Sequence, residues 1–502
     1  MIRRNFIRNS GVVLAGTTLM PRFLDGRFLM PEALLTLQDI DSEVLKKARQ
    51  DILKIRKRDV EIKLLDSAGN PLKNAVVDVV QLKQAFLFGD CNPAMDELFR
   101  KYNGPSEKLH NYRRLFADVL NAVNSTCYWT ERPRNNMAKT EEYQGEPYYE
   151  GFTDTVDWAN ANGLTVKGHP LFWPVDKAIP EWLKHYPYET QLKFLEVRLR
   201  DLVSRFKGKV KLWDAVNEML WEPALKNLKL RYWPYLETMD NMVEYISFVL
   251  GICREENPDA TYTLNDYGLE IPKKNELKTK EGVVVPFDMQ RKRYIELIKR
   301  LSDNGMQPNA IGLQCHDGWM SFHDQMAFYD EMSKAGLPLH VTEFWAQVDH
   351  LQARGQRLAA TNGDFTTETF QNSNAPKYTQ EEIDNIQADY IVNYLTCAFS
   401  HPSIDAFFFW GFMDPAVVWK QGDSPSYELK AVYNKVRKLL NEDWKTNLSL
   451  TTDSNGIVRF NGFFGDYSLR YPLRSGKLYK SGVLFNVNKY QNYPLTLKAS
   501  VI

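Results

Sequence analysis

The chain has 502 residues, of which 44% are apolar and 25% are charged. This length suits one large domain with one or two small ones, and the composition is that of a soluble globular protein. Lysine plus arginine and aspartate plus glutamate both number 63, so the formal net charge is zero and gives no electrostatic reason to expect binding to nucleic acid or to an anionic membrane. The five cysteines form no Cys-x-x-Cys pair and therefore indicate neither a disulfide framework nor a zinc site.

The first residues resemble an export signal. Arg3 and Arg4 form an arginine pair, and the apolar run that follows at 11–16 is too short to span a bilayer. We predict that residues 1–30 are a leader of the twin-arginine type and that the protein is exported to the periplasm or the extracellular space. A basic N-terminal segment without a targeting role is the alternative, because no Ala-x-Ala cleavage site is evident. No other run reaches the roughly 18 apolar residues of a membrane-spanning helix.

Both ends of the remaining chain show the period-two alternation of half-buried strands. In the N-terminal part, residues 44–84, a short charged helix at 44–58 precedes strands on either side of a turn at 66–71. The same period-two alternation recurs in residues 443–502. Because two strands cannot bury a face alone, we predict that 59–84 and 443–502 pair into one small antiparallel β-sandwich. Two separate appendages are the alternative.

Between these ends, short apolar runs alternate with helical stretches. The runs are 86–92, 122–129, 165–173, 210–218, 261–267, 310–316, 337–344 and 405–412. Helices are expected at 190–206, 241–256, 288–304 and 381–400. Eight such units are what an eight-stranded (β/α)8 TIM barrel with loop insertions requires, so we predict an α/β fold of this kind for residues 85–442. A run as continuously apolar as 406–410 is typical of a parallel strand buried on both faces.

In such a barrel the active site gathers at the carboxyl ends of the strands. The polar residues that close the runs are Asn92, His169, Asn217 with Glu218, Asn265 with Asp266, Gln314 with His316, Glu343, and Trp410 with Asp414. Cleavage of a glycosidic bond needs one carboxylic acid to protonate the leaving oxygen and one carboxylate to attack or stabilise the anomeric carbon. Because strands four and seven lie across the barrel mouth from each other, Glu218 and Glu343 can flank such a bond.

Six motifs fall in the order of one known family. Residues 213–218 read Trp-Asp-Ala-Val-Asn-Glu, and residues 337–344 read Leu-Pro-Leu-His-Val-Thr-Glu-Phe. They resemble the acid/base and nucleophile motifs of glycoside hydrolase family 10, the xylanase family, and the other four motifs lie at 168–173, 264–267, 312–316 and 410–414. The resemblance covers residues 86–440, and the flanking segments, including 86–89, are similar to those of plant-type and some bacterial members.

The resemblance implies a retaining, double-displacement mechanism with Glu218 as acid/base and Glu343 as nucleophile. It implies that Asn217 binds the substrate 2-hydroxyl. The other residues that it assigns to substrate binding or support are His169, Asn265, Gln314 beside the acid/base, His316 beside the nucleophile, and Trp410 and Trp419 around the sugar just before the cut. No metal or organic cofactor is implied, because two carboxylates suffice.

Simpler structural explanations exist for several of these residues. His169 could be a satisfied core histidine, and Trp410 and Trp419 could cap the barrel core. Asp266 and Asp414 are expected to be supports rather than catalysts.

The glycone side departs from the family's pattern. The family has Glu-Asn-x-x-Lys-Trp at the end of strand two, but in residues 124–131 the lysine position is expected to hold Thr or Cys. The second histidine of the family's Gly-His-x-x-x-Trp-His run is Pro174. An ammonium and an imidazole are therefore missing, and Glu131, Arg132 or Arg134 are candidates to replace them. Without replacement, the lost hydrogen bonds would lower affinity or rate by orders of magnitude.

We predict a β-1,4-xylanase-like glycoside hydrolase whose partner is a xylan-like polysaccharide. One alternative keeps the mechanism but changes the glycone, because the strand-two site differs. A second is a carbohydrate-binding protein without turnover. Oligomeric state and the choice between endo and exo action stay open at this point.

Overall fold

The computed structural model describes residues 32–470 with gaps at 67, 92, 130–139, 142, 176–177, 222–237, 271–276, 279–283, 286, 317–319, 347–356, 362–363, 369–378, 414–417 and 421–425. It also describes residues 483–490 and 494–498 and one short antiparallel pair, Phe23–Leu24 with Arg27–Phe28. Apart from that pair, the predicted leader at 1–30 lies outside the described residues.

Eight parallel strands close into a barrel, as predicted. In chain order they are Leu87–Cys91, Ala122–Thr126, Thr165–His169, Leu212–Asn217, Thr261–Asp266, Ala310–Leu313, Leu339–Phe344 and Ile404–Phe409. Each predicted run overlaps one of these strands, and we number them one to eight below. Strand eight pairs with strand one, which closes the barrel.

Helices surround the barrel and bury one face each against its core. Their bounds are Pro93–Lys101, Glu107–Val119, Glu150–Ala161, Tyr188–Arg205, Met239–Glu256, Phe287–Asp303, Phe322–Met332, Gln380–Ser400 and Ala431–Lys438, with 3₁₀ turns at Glu181–His185 and Ser333–Ala335 and a π-helical turn at Leu439–Asp443. Short strand pairs in the loops are Leu277–Lys278 with Val284–Val285, Arg357–Thr361 with Asp364–Glu368, and Val418–Lys420 with Tyr427–Leu429. All four predicted helices are confirmed within two residues.

Strands from the two chain ends form a pair of sheets around a second core. One sheet has the order Asn447–Thr451, Val76–Gln84, Gly465–Arg470, Val483–Val487, and the other has the order Ile457–Phe463, Lys57–Leu65, Leu495–Lys498. The predicted sandwich of both ends is therefore found. The expectation that all its strands are antiparallel was wrong, because Leu495–Lys498 pairs in parallel with Lys57–Leu65. The domain limits given above stay predictions.

The N-terminal helix is longer than predicted. It spans Glu32–Ile55, whereas the sequence indicated a start at 44. Half of residues 32–43 are leucine, glutamate or alanine, which favour helix, so the helix extends toward the N-terminus.

Arg56, directly after this helix, ties the N-terminal part to the barrel. Its guanidinium donates to the backbone carbonyls of Phe399, His401 and Ile404 at 2.7, 2.7 and 2.6 Å. It also lies over the rings of Phe86 and Phe399, 4.9 and 5.1 Å from their centroids. Burial lowers the pKa of Arg56 to about 10, so the side chain stays charged at neutral pH. One cation thus satisfies three carbonyls at the turn that leads into strand eight.

We expect Arg56→Ala to lower the free energy of unfolding by about 2–4 kcal/mol, because three part-buried carbonyls would lose their donor. Arg459→Ala is the matched control. Arg459 bonds Glu61 at 2.7 Å, but its side chain is 60% exposed, so its loss should lower the free energy of unfolding much less. Urea unfolding of both variants measures the difference; equal losses would contradict the role given to Arg56.

The barrel interior carries ionisable groups below its mouth. Lys167 Nζ on strand three lies 2.8 Å from Asp214 Oδ2 on strand four, and both side chains are fully buried. Burial raises the pKa of Asp214, but Lys167 and His169 lower it more, so this pKa lies well below its usual range. On strand seven, burial lowers the pKa of His340 to about 3, and the charge of Lys167 adds to this effect while that of Asp214 opposes it. His340 is therefore neutral in the folded protein above that pH.

The low pKa of His340 predicts a loss of stability in acid. An unfolded histidine has a pKa of about 6.5, so below that pH the unfolded chain binds a proton that the folded chain does not. Between about pH 6.5 and the folded pKa of about 3, His340 should lower the free energy of unfolding by about 1.4 kcal/mol for each unit of falling pH. His340→Gln should remove this slope, which urea unfolding at several pH values would measure.

His323→Gln is the control for that series, because the side chain of His323 is 62% exposed. It should leave the acid slope of the wild type unchanged. If the free energy of unfolding falls equally with pH in His340→Gln and His323→Gln, His340 is protonated in the folded protein, which would contradict the prediction.

Candidate active site

The two glutamates singled out from the sequence lie at the same end of the barrel and are linked by amides. Asn265 Nδ2 donates to Glu343 Oε1 at 2.7 Å and to Asn217 Oδ1 at 2.8 Å. Gln314 Nε2 donates to the same Asn217 oxygen at 3.2 Å and to Glu218 Oε1 at 3.3 Å. Glu218 and Glu343 are only 5% and 3% exposed. The residues from strands four, five, six and seven thus form one continuous network between the two carboxylates.

Glu218 follows strand four in the left-handed region, with φ 56°. This conformation costs a non-glycine residue roughly 1–2 kcal/mol and has to be held by its surroundings. The backbone N–H of Glu218 donates to Asn265 O at 2.7 Å, and that of Leu220 donates to Asp266 Oδ2 at 2.8 Å. Trp173 Nε1 donates to Glu218 Oε2 at 3.0 Å. The turn therefore places the Glu218 carboxylate in the network, and Asp266 accepts a hydrogen bond from the backbone just after it.

Glu343 is surrounded by groups that favour its ionised form. His316 Nε2 lies 2.8 Å from Glu343 Oε2, and His169 Nε2 lies 3.9 Å from Oε1. Burial raises the pKa of Glu343, but the hydrogen bond from His316 and the charges of His316 and His169 lower it more. The net result is a pKa below the usual range. A carboxylate that is buried and still ionised at neutral pH has the properties of a nucleophile.

His169 is held at its Nδ1 atom and by ring contacts. Its Nδ1 bonds Asp214 Oδ2 at 2.7 Å, which directs Nε2 toward Glu343. The ring meets Tyr128 edge-on, with centroids 5.7 Å apart, and Trp410 at 5.5 Å. The structure thus places His169 in contact with Asp214, Tyr128 and Trp410 and beside Glu343.

Trp410 is held by a residue that the sequence did not single out. Trp410 lies between His169 and His316, and its ring centroid is 5.5 and 6.0 Å from theirs. Asp90, fully buried at the end of strand one, accepts hydrogen bonds from the backbone N–H groups of the three residues after Trp410, at 2.9, 3.1 and 3.1 Å. Functional residues were predicted only among the polar residues that close each apolar run, and Asp90 lies inside the run 86–92. The sequence feature that could have identified it is a carboxylate within a run that is otherwise mostly apolar.

Several predicted residues lie outside the described part of the chain. They are Asn92, Asp414 and the candidates to replace the missing glycone-side groups, Glu131, Arg132 and Arg134. Only the backbone of Trp419 is described, in the strand Val418–Lys420. Within the described residues, no group of three or more His, Cys, Asp or Glu side chains is arranged to hold a metal ion.

The residue before Trp129 corrects one expectation about strand two. Aligned on that tryptophan, the lysine position of Glu-Asn-x-x-Lys-Trp holds Tyr128, not Thr or Cys. Tyr128 is 2% exposed and packs on His169 and Trp173. A buried ring therefore stands where the pattern has an ammonium.

Comparison with known proteins identifies the family of the chain. The family model described as glycosyl hydrolase family 10 matches residues 129–438. Endo-1,4-beta-xylanase 1 of Arabidopsis thaliana is 23% identical over 449 residues, which cover 89% of this chain and 39% of that protein. Anti-sigma-I factor RsgI6 of Acetivibrio thermocellus is 25% identical over 434 residues, covering 85% of this chain and 46% of that protein. The chain thus spans less than half the length of either relative.

A shorter relative and the solved structures complete the comparison. Beta-1,4-xylanase of Dictyoglomus thermophilum is 29% identical over 265 residues, covering 50% of this chain and 66% of that protein. Xylanase 10B of Thermotoga petrophila, solved with xylobiose, is 19% identical over 72% of this chain and 95% of its own, with a TM-score of 0.48.

No helix in the described ranges is long and apolar enough to cross a membrane.

The family model covers more than half of the chain, and its range contains the strands that carry Glu218 and Glu343. The chain belongs to glycosyl hydrolase family 10.

Proposed function

We propose that this protein is a retaining, endo-acting β-1,4-xylanase with Glu218 as acid/base and Glu343 as nucleophile. The observation that carries the proposal is the pair of nearly buried carboxylates joined by the amides of Asn265, Asn217 and Gln314. The environments of the two carboxylates differ. Two histidines and an amide surround Glu343, whereas Glu218 accepts from the neutral donors of Trp173 and Gln314.

In the first step, Glu343 attacks the anomeric carbon of the bound xylosyl unit. The bond from this carbon to the glycosidic oxygen breaks, and Glu218 gives its proton to that oxygen, which releases the reducing-end fragment. An ester between Glu343 and the glycone remains. The lowered pKa of Glu343 fits this role, because the carboxylate must be ionised before it attacks.

In the second step, Glu218 acts as a base. It takes a proton from a water molecule whose oxygen attacks the same anomeric carbon, and the carbon–Glu343 bond breaks. Two inversions give net retention. The Oδ1 atom of Asn217 already accepts hydrogen bonds from Asn265 and Gln314. Its Nδ2 atom is therefore the part of the side chain suited to donate to a substrate hydroxyl such as the 2-hydroxyl.

The substrate class follows from two considerations. Several relatives are named as β-1,4-xylanases, and the barrel mouth holds tryptophan and histidine rings next to the carboxylates. Tyr128 and Pro174 occupy positions where the family pattern has cationic or imidazole groups on the glycone side. A preference for decorated xylan or a related β-glycan is compatible with this difference.

We also propose that the protein is exported, on the strength of the arginine pair in the first residues.

A second candidate is binding of a polysaccharide without turnover. It is favoured by one observation, the absence of the lysine and the second histidine that the family pattern has on the glycone side. The two candidates differ in whether new reducing ends form.

We expect the wild type to release new reducing ends from glucuronoxylan or arabinoxylan. Glu343→Gln should lower kcat by roughly 10³-fold or more, because the attacking carboxylate is lost. Glu218→Gln should lower kcat by about 10²–10⁴-fold on xylan, and by less on an aryl β-xyloside whose leaving group needs no proton. Product analysis beside other β-glucans measures both activity and substrate preference.

Glu296→Gln is the control, because Glu296 lies on the outer helix Phe287–Asp303 and pairs with Arg300. It should keep wild-type activity. Calorimetric binding to xylan without any hydrolysis by the wild type would favour the second candidate.

A further inference from the structure

We propose that Tyr128 is a positioning residue that braces the two rings contacting the catalytic carboxylates, His169 beside Glu343 and Trp173 beside Glu218. The inference rests on the proposed function, because it concerns the same carboxylate pair. Tyr128 stands at the lysine position of the family motif, but its side chain is buried, and the role proposed here is argued from its ring contacts in the structure.

The backbone of Tyr128 is anchored behind the site. Its carbonyl oxygen accepts hydrogen bonds from the N–H and the hydroxyl of Thr140, at 3.1 and 2.8 Å. The Thr140 oxygen in turn accepts from Arg198 Nη1 at 2.6 Å. Arg198 is buried on the helix Tyr188–Arg205 and also donates to Leu171 O at 3.0 Å, in the loop after strand three. Tyr128 and the loop that carries Trp173 are therefore fixed by one guanidinium.

The first contact of the Tyr128 ring is with His169. The two rings meet at an angle of 90° with centroids 5.7 Å apart, which is the edge-to-face geometry that aromatic rings prefer. Trp410 packs on His169 as well, at 5.5 Å. With Nδ1 held by Asp214, the imidazole has little freedom to move, and its Nε2 is kept 3.9 Å from Glu343 Oε1.

The second contact of the same ring is with Trp173. Their centroids lie 5.5 Å apart at an angle of 45°. The indole Nε1 of Trp173 donates to Glu218 Oε2 at 3.0 Å. A single side chain from strand two thus limits the motion of one neighbour of each carboxylate.

Tyr128 acts through these neighbours and does not touch the substrate. Its side chain is 2% exposed, so it has no face on which a sugar could stack. Removal of the ring would leave space into which His169 and Trp173 can turn, and a misplacement of about 1 Å in a catalytic constellation can lower the rate about 10²-fold. We therefore expect an effect on kcat and little effect on KM.

The test compares Tyr128→Leu, which removes the ring, with Tyr128→Phe, which keeps it. On a xylo-oligosaccharide, the leucine variant should lose about 10–100-fold in kcat with KM changed less than about 3-fold, while the phenylalanine variant keeps kcat within about 3-fold. Tyr467→Leu is the matched control. Tyr467 is a buried tyrosine stacked on Phe485 in the sandwich, so its loss should lower the melting temperature but not kcat.

A pH profile separates positioning from general damage. The charged or titratable groups around Glu343 are His316, His169 and Asp214, with Glu218 across the amide network. A displaced His169 lowers the pKa of Glu343 less, so the acid limb of kcat/KM should move to higher pH in Tyr128→Leu. The same limb should stay in place in Tyr128→Phe and in Tyr467→Leu.

A proton resonance provides a readout that needs no catalysis. The Nδ1 proton between His169 and Asp214 is buried and hydrogen-bonded, so it should exchange slowly with solvent in the wild type and measurably faster in Tyr128→Leu. If the leucine variant does not fold, Tyr128→Met, which fills the space without a ring, replaces it.

Folded ring-free variants with wild-type kcat and proton exchange would overturn the inference, as would a phenylalanine variant as impaired as the leucine one. A wild type that cleaves no β-xylan or aryl β-xyloside would instead refute the proposed function, and proton exchange would still decide the role of Tyr128.

Discussion

The structure depends on one constraint, the burial of two carboxylates at one barrel mouth. An ionised group taken out of water is costly unless hydrogen bonds and opposite charge replace the lost solvation. Glu343 obtains them from Asn265 and His316, and Glu218 obtains them from Trp173 and Gln314. These donors come from different strands or from the loops after them, so only a closed barrel can bring them together. The left-handed turn at Glu218 is part of the same arrangement.

The two carboxylates differ in their electrostatic surroundings. On one side, the buried Asp214 carboxylate contacts both Lys167 and His169. The Nε2 atom of His169 lies 3.9 Å from Glu343 Oε1. On the other side, the Glu218 carboxylate accepts hydrogen bonds from the indole of Trp173 and the amide of Gln314. An acid and a nucleophile need opposite protonation states at one pH. The proposal assigns the nucleophile to Glu343, whose pKa is lowered by His316 and His169.

The sequence predicted the barrel well because buried parallel strands appear as apolar runs, and the polar residues that close them mark the mouth. Glu218, Glu343 and their amide and histidine neighbours were found in this way. Asp90 and Tyr128 were missed, since a carboxylate inside a run and an aromatic ring next to a tryptophan both resemble core positions. Which buried side chains touch depends on register and side-chain direction across neighbouring strands, and neither can be read from a run that is buried on both faces. The parallel pairing of Leu495–Lys498 was also missed, because alternation along one strand does not give the direction of the strand that it pairs with.

The most direct test of the central claim is to identify the residue that becomes glycosylated during turnover. A 2-deoxy-2-fluoro β-xylobioside with an activated leaving group should form the ester at a useful rate and hydrolyse slowly, because fluorine destabilises the cationic transition state of both steps. Proteolysis and mass spectrometry then locate the added glycosyl mass. We expect a single label on Glu343, at the end of strand seven. A label on Glu218 or on any other carboxylate, or release of a product with inverted anomeric configuration, would contradict the proposed mechanism.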